Sequence, residues 1–443
     1  MKHANEQARV RFLYELHKNL STICAKMHTR GMYFYEENRA CIEFLLLQEI
    51  EEARVRWRET VGVSPETKVT PTNMRAAIFS KHRRANVPCL DMPDPVNIPD
   101  FTNPTKDMIS VKKGPLLRMI VSPHSTPQVL RVVEAWWRFK KAEKKLGYVQ
   151  SEDLLAAVDP SDNMYRTGWN SCGTDTGRFT GGVTMTMPQD LRYIFGPAPG
   201  RIWIHADKKQ LEIRVMACVA NDRVLQSMIL SGKDLYETEA RHYFKIAPDA
   251  PVKKSLRQGA KIIRLARQYW AQEKTCFSQA IAQDRTMTIS RIRALINMFD
   301  TTYSDTVAYW GDEKRLVAKQ GYSEDRLHGR RRVYPRMPDD SEIVNWPVQA
   351  TAAALMNEEF IELDERLEAE HPDAHIITQL HDAVDVDCAE DDYDKVTAII
   401  RSVMDRRKII NGIDFPFGID LKVASHEYMR RGEEFKGDTW ASV

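Results

Sequence analysis

Residues 377–387 read ITQLHDAVDVD, an apolar–polar alternation that fits a half-buried β-strand, yet His381, Asp382, Asp385 and Asp387 crowd into it. Carboxylates beside apolar surroundings cost free energy unless something compensates them. Whatever this chain folds into must therefore supply that compensation. A second run poses the same problem. GRIWIHADKKQLEIRVMACVA, 200–220, begins as a buried strand and turns helical after Asp207.

Taken singly, Asp207 reads as a helix cap or turn residue, and Asp382 as part of a hairpin between two apolar strands. Taken together they point to a shared metal site. Mg²⁺ is bound by a few carboxylate oxygens, with water and substrate phosphate completing its shell. Two such ions roughly 3.5–4 Å apart clamp the attacking and leaving oxygens of an in-line displacement. Asp385 and Asp387 are read as solvent-facing strand residues rather than ligands.

The formal net charge is only +2, but residues 251–336 hold 18 Lys/Arg against 8 Asp/Glu, so this segment is basic and the remainder acidic. A phosphate-rich partner fits such a segment, and a solvated helical face is the plainer alternative. Within it, PVKKSLRQGAKIIRLARQYW, 251–270, places Arg257, Lys261, Leu265 and Tyr269 at successive i+4 positions, one stripe of a helix. Two cations, an apolar residue and a ring suit a nucleoside triphosphate, phosphates at one end and base at the other. The alternative is an ordinary amphipathic helix with Leu265 and Tyr269 in the core.

The 443 residues allow about three domains at roughly 150 residues each. No apolar run approaches the ~20 residues of a membrane span, and the N-terminus is not a signal peptide. The cysteines are scattered without a CxxC pair. This reads as a reduced cytoplasmic protein without a disulfide framework or zinc site. Residues 1–60 have helical spacing, and the proline-rich 87–104 reads as a linker. A long helix is expected over 125–149, capped by Ser125, with a basic end at Lys140, Lys141, Lys144 and Lys145. Loops and short strands are expected over 160–200, helices over 251–311, a basic turn at 329–335, a helix over 347–370, strands around His381–Asp382, and a helix near 391–405. The mixture is α+β without βαβ regularity.

These segments resemble the motifs of family A DNA polymerases, the DNA polymerase I family. ADKKQLEIRVMA resembles motif A at Asp207, Gln210, Leu211, Glu212, Ile213 and Arg214. RQGAKIIRLARQY resembles motif B at Arg257 and Lys261, and QLHDAVDV resembles motif C at His381 and Asp382. RGM (30–32), TGRF (176–179), GKDLYETEA (232–240), GRRR (329–332) with Pro335, and NWPVQATAA (345–353) match further family segments in order. The similarity covers nearly the whole chain.

The resemblance implies a right-hand polymerase fold. The palm, with its antiparallel sheet, is expected at 1–35, 156–220 (motif A) and 345–443 (motif C). A thumb is expected at 36–155 and fingers at 221–344, both mainly helical. It implies dNTP addition to a primer 3′-OH on a DNA template, with Asp207 and Asp382 binding two Mg²⁺ ions (Mn²⁺ a possible substitute). Arg257 and Lys261 would hold the triphosphate, and Lys261 would protonate the leaving pyrophosphate. Glu212 would exclude a 2′-hydroxyl, Tyr269 would flank the templating base, and Gln210, Leu265 and Tyr236 would complete the nucleotide site. Every base pair offers minor-groove acceptors, so the donors Arg178, Asn345, Gln349 and His381 can test pair geometry without reading sequence. Arg330 and Arg331 are further expected DNA contacts.

The sequence also departs from the pattern. Ala383 replaces the glutamate that usually follows His-Asp, with Asp385 two residues on toward the same side. Leu265 replaces an aromatic, Ala266 a glycine, Trp270 a second glycine, and Tyr236 a histidine. No proofreading exonuclease is expected in this chain. Its compact form fits a phage or mobile-element system, and a separate exonuclease or processivity factor would be a partner. The chain is expected to act as a monomer off the membrane, in a bacterial host's cytoplasm if phage-encoded. The rival readings are a single-subunit RNA polymerase, against which Glu212 argues, and a catalytically weak DNA-binding relative.

Overall fold

The helices and strands that carry the argument are, in chain order, α1 (Lys2–Arg30), α2 (Glu36–Val61), α3 (Pro127–Val149), α4 (Leu211–Val219), α5 (Lys254–Arg267), α6 (Asp340–Glu370) and α7 (Tyr393–Met404), with strands β1 (Arg201–Lys208), β2 (His375–Leu380), β3 (Ala383–Ala389) and β4 (Ile419–Ser425). The computed structural model describes residues 2–79, 82–92, 102–103, 108–109, 111–112, 116, 125–281, 284, 287–431 and 441–442. Much of the expected proline-rich linker, 93–101 and 104, lies outside the described residues.

The chain divides into two compact units, one of 1–39, 151–235 and 300–443, the other of 40–150 and 236–299. The segments expected as palm fall inside the first unit and the thumb segment mainly in the second, while the expected fingers segment is divided between them.

The first unit is built on an antiparallel sheet ordered β2–β3–β1–β4, with Ala441–Ser442 at its edge. Strand alternation sends Ile202, Ile204, Ala206 and Lys208 to one face of β1 and Trp203, His205 and Asp207 to the other. Helix α7 packs against β1, while α6 packs on α1, α4, α7 and β2. Lys208 therefore points into the core. It is 2% exposed, and its Nζ lies 2.6 Å from Glu359 of α6, also buried, and donates to the Met404 carbonyl. Burial pushes the Glu359 carboxyl up to about 7 against the pull of Lys208.

The register corrects one expectation directly. Asp385 and Asp387 are buried, at 3% and 9% exposure, rather than solvent-facing. The reason is that β3 is interior, flanked by β2 and β1. Asp385 sits opposite His205 and Asp387 opposite Trp203, and each finds its partner there.

Other differences are local. The helical run of 1–60 is broken by a strand, Met32–Phe34, paired with 164–165 and 195–196. The cap of α3 is Thr126, not Ser125; its side chain accepts from Val129 N at 3.2 Å, with Pro127 beginning the helix. The basic turn at 329–335 contains a strand, Arg331–Val333, paired antiparallel with Tyr322–Glu324. Helix α6 starts at Asp340 rather than 347. Its acidic first turn suits the helix N-terminus, and Pro347 is taken inside the helix.

In the second unit, Val129, Val132, Val133, Trp136 and Phe139 form the buried stripe of α3, the period of an amphipathic helix. Arg138 pairs with Glu49 and Glu52 of α2 at 3.1 and 2.9 Å. Helix α5 ends at Arg267, so Tyr269 lies just beyond the helix on which it was expected.

The Lys208–Glu359 pair gives a stability prediction. Lys208→Met or Glu359→Leu alone should destabilise the fold by about 3–5 kcal/mol, because each leaves a buried charge unpaired. The double substitution should cost far less. Urea denaturation of the three variants distinguishes these outcomes.

Candidate active site

Asp207 lies near the end of β1 and Asp382 in the two-residue turn joining β2 to β3. Their strands are adjacent, and Lys208 N donates to the Asp382 carbonyl at 3.0 Å, so the turn is tied to the end of β1. His381, first in that turn, has φ +60°, a backbone that non-glycine residues rarely adopt. Asp207, Asp382, His381, His205, Asp385 and Arg192 are among the residues lining a cavity of about 250 Å³.

The cavity sets acids beside bases: Lys422 and Arg192 line it together with Asp207 and Asp382. Burial, and then the nearby Asp382 carboxylate, push the Asp207 carboxyl up to about 6. A pair of neighbouring carboxylates is a donor set that a hard divalent ion suits. Among the described residues, no three His, Cys, Asp or Glu side chains gather into a preformed metal cage.

Behind Asp207 lies a tier that sequence reasoning missed. His205 Nδ1 is 2.6 Å from Asp385 Oδ1. Burial alone would lower the His205 pKa, but Asp385 raises it above its ordinary value. Trp203 Nε1 donates to Asp387 at 3.0 Å, and Arg201 forms an ion pair with the same carboxylate. The signal was present as period-two spacing in IHAD and AVDVD, which puts these side chains on the face of Asp207. A third acid, Asp420 of β4, stands directly opposite Asp207.

Of the expected minor-groove residues, Arg178 and His381 lie within electrostatic reach of each other. Arg178 forms an ion pair with Glu212, and its backbone N donates to Thr174 Oγ1 at 3.0 Å. His381 is lowered from its ordinary pKa by burial and then by Arg178. Gly177 has φ +81°, and an added Cβ would fall 2.5 Å from the Arg330 guanidinium. Arg330 lies over the Trp346 ring at 5.5 Å, and Trp346 Nε1 donates to the Asp175 carbonyl at 3.2 Å. Arg330 therefore packs inward, whereas Arg331 pairs with Glu324 at 2.6 Å and Glu6 at 3.3 Å. Asn345 and Gln349 share a face of α6 one turn apart.

The second unit holds the expected triphosphate residues. Arg257 and Lys261 lie over the Tyr236 ring at 5.4 and 5.5 Å, cation–π contacts that keep both cations on one side of α5. Leu265 is 39% exposed, so it is not the core residue of the plainer alternative. Trp270 has φ +63°, which gives a physical reason for a glycine at that position.

The comparisons with known proteins follow the same lines. The model of "DNA polymerase family A" matches residues 95–429. DNA polymerase I, thermostable, from Thermus filiformis is 25% identical over 309 residues, 66% of this chain and 35% of that protein. DNA polymerase I of Bacillus subtilis is 22% identical over 300 residues, 63% of this chain and 33% of that protein. This chain thus spans about a third of the length of the curated relatives it matches. The POL domain of Pol1 from M. smegmatis, solved in complex with DNA primer-template and dNTP, superposes with a TM-score of 0.74 over 92% of this chain and 69% of that one, at 19% identity. That likeness establishes the expected α+β polymerase fold. The relatives named here are bacterial and lend no support to a phage origin. No helix among the described residues is long and apolar enough to cross a membrane.

The raised Asp207 pKa has a definite sign in stability. A folded-state value near 6 lies above the ordinary 3.8, so the metal-free protein takes up a proton and gains stability from this group as pH falls from 7 toward 4. Above pH 6 that contribution is lost. Asp207→Asn should therefore melt roughly 1–3 °C higher than the parent at pH 7.5 without metal, and Mg²⁺ should stabilise the parent but not the variant. Differential scanning fluorimetry reads both effects.

Proposed function

Because the chain belongs to DNA polymerase family A, we propose that it is a template-directed DNA polymerase, extending a primer 3′-OH with dNTPs. The observation that carries this reading is the placement of Asp207 and Asp382 at the adjoining ends of β1 and the β2–β3 turn, beside a common cavity. Asp207 and Asp382 would hold two Mg²⁺ ions, with Mn²⁺ as a substitute. When bound, these ions supply positive charge to the attacking and leaving oxygens.

The remaining roles fall to side chains. Arg257 and Lys261 bind the triphosphate, with Tyr236 as the ring they rest on before it arrives. Lys261 donates a proton to the departing pyrophosphate, where negative charge develops. Leu265 lies against the sugar, Gln210 at the start of α4 contacts the nucleotide, and Tyr269 flanks the templating base. Glu212 fills the space of a 2′-hydroxyl and is held there by Arg178. Arg178, Asn345, Gln349 and neutral His381 read the minor groove of the primer–template, whose backbone Arg331 approaches. Arg330 acts more through Gly177 and Trp346 than through DNA.

Extension of a labelled primer on a DNA template in Mg²⁺ tests the reading. The protein should extend with dNTPs, and Asp207→Ala should abolish extension. Lys261→Ala should slow it by roughly 10²–10³-fold. Glu212→Ala should admit rNTPs, while Glu212→Gln, which keeps the bulk, should still exclude them. Tight, salt-sensitive DNA binding without any extension would instead favour the catalytically weak DNA-binding relative.

A further inference from the structure

Strand β1 is paired on both sides, and the row of side chains through Asp207 runs Ala383–Asp207–Asp420 across β3, β1 and β4. Directly opposite residues of antiparallel strands share a face, with Cβ atoms about 4.5–5.5 Å apart. Ala383, where an acid is expected, offers no oxygen to a metal. Asp385, the next acid on that side, is buried and bound to His205. On the opposite side of the row, Asp420 brings a carboxylate.

We propose that Asp420 supplies the acid missing at position 383, accepting hydrogen bonds from water on the metal ions held by Asp207 and Asp382. The inference rests on the polymerase reading and adds a residue to that site. Like charges directly opposite each other in a sheet are destabilising, so a carboxylate facing Asp207 is a cost unless a cation comes between them. In this structure Asp420 draws one: Lys209 Nζ lies 3.0 Å from its Oδ1. Both side chains are largely exposed, at 46% and 63%, and an exposed pair of this kind gives way easily to a divalent ion. The Lys209 backbone is pinned, its N donating to the Gly418 carbonyl at 2.9 Å and its carbonyl accepting from Arg214 Nε at 2.8 Å. The lysine side chain can therefore leave without moving Asp207. A water-mediated role suits Mg²⁺, which keeps several of its waters.

Two readouts test the proposal on the full chain: Mn²⁺ affinity by titration calorimetry, and the Mg²⁺ concentration giving half-maximal primer extension. Asp420→Asn, isosteric and exposed, should weaken Mn²⁺ binding and raise the Mg²⁺ requirement by roughly tenfold each. Lys209→Met, which frees Asp420, should shift both the other way. Unchanged Mn²⁺ affinity in Asp420→Asn, with the parent extending primers normally, would overturn this inference and leave the polymerase reading standing. A parent protein that neither binds Mn²⁺ nor extends would overturn that reading, and this inference with it.

Discussion

The pairing of β1 between β3 and β4 is the constraint on which the site depends. An interior strand presents each residue to two opposite neighbours, so its register fixes six flanking positions for every three side chains on a face. Here that register aligns Asp207 with Ala383 and Asp420, His205 with Asp385 and Lys422, and Trp203 with Asp387 and Ala424. A slip of one residue would carry Asp207 to the helix-covered face and Lys208 to the cavity. The buried Lys208–Glu359 pair resists that slip, because only the observed register lets both charges meet. A charged pair buried behind the sheet thus helps decide which carboxylate faces the cavity in front.

The site face is acidic in depth. Asp387 is offset by Arg201 and Trp203, and Asp385 by His205. Asp207 has the weaker compensation of His205 and Lys422, set against burial and the Asp382 carboxylate. Its carboxyl, pushed up to about 6 by burial and by Asp382, is the perturbed acid at the end of β1. This face also answers much of the question posed by ITQLHDAVDVD: Asp385 and Asp387 find their partners on β1.

Around that sheet, the expected DNA-facing residues are set by interlocked turns. Gly177 leaves room for Arg330, Arg330 stacks on Trp346, and Trp346 reaches the Asp175 carbonyl. This packing holds the loop bearing Arg178, which in turn holds Glu212. A guanidinium that looks like a DNA contact in sequence can therefore work by holding another residue in place. In the second unit, Tyr236 does comparable work for Arg257 and Lys261, collecting both cations on one ring.

Much of this protein is legible in its sequence. The α+β class, the strand ending near Asp207, the His381–Asp382 turn between strands and the cationic helix all follow from local periodicity and turn chemistry, which depend on neighbours within a few residues. The ordered motifs carry the family. What local pattern cannot supply is which strands become neighbours. Asp385 and Asp387 looked solvent-facing because alternation alone does not say that β3 is interior. Arg330 looked available to DNA because nothing near it in sequence announces Gly177 or Trp346. Asp420 went unnoticed because it lies far along the chain from Asp207. The sequence by itself determined the chemical groups and their local conformations; the tertiary structure decided which of those groups face one another, because strand register and burial are set by contacts between residues far apart in the chain.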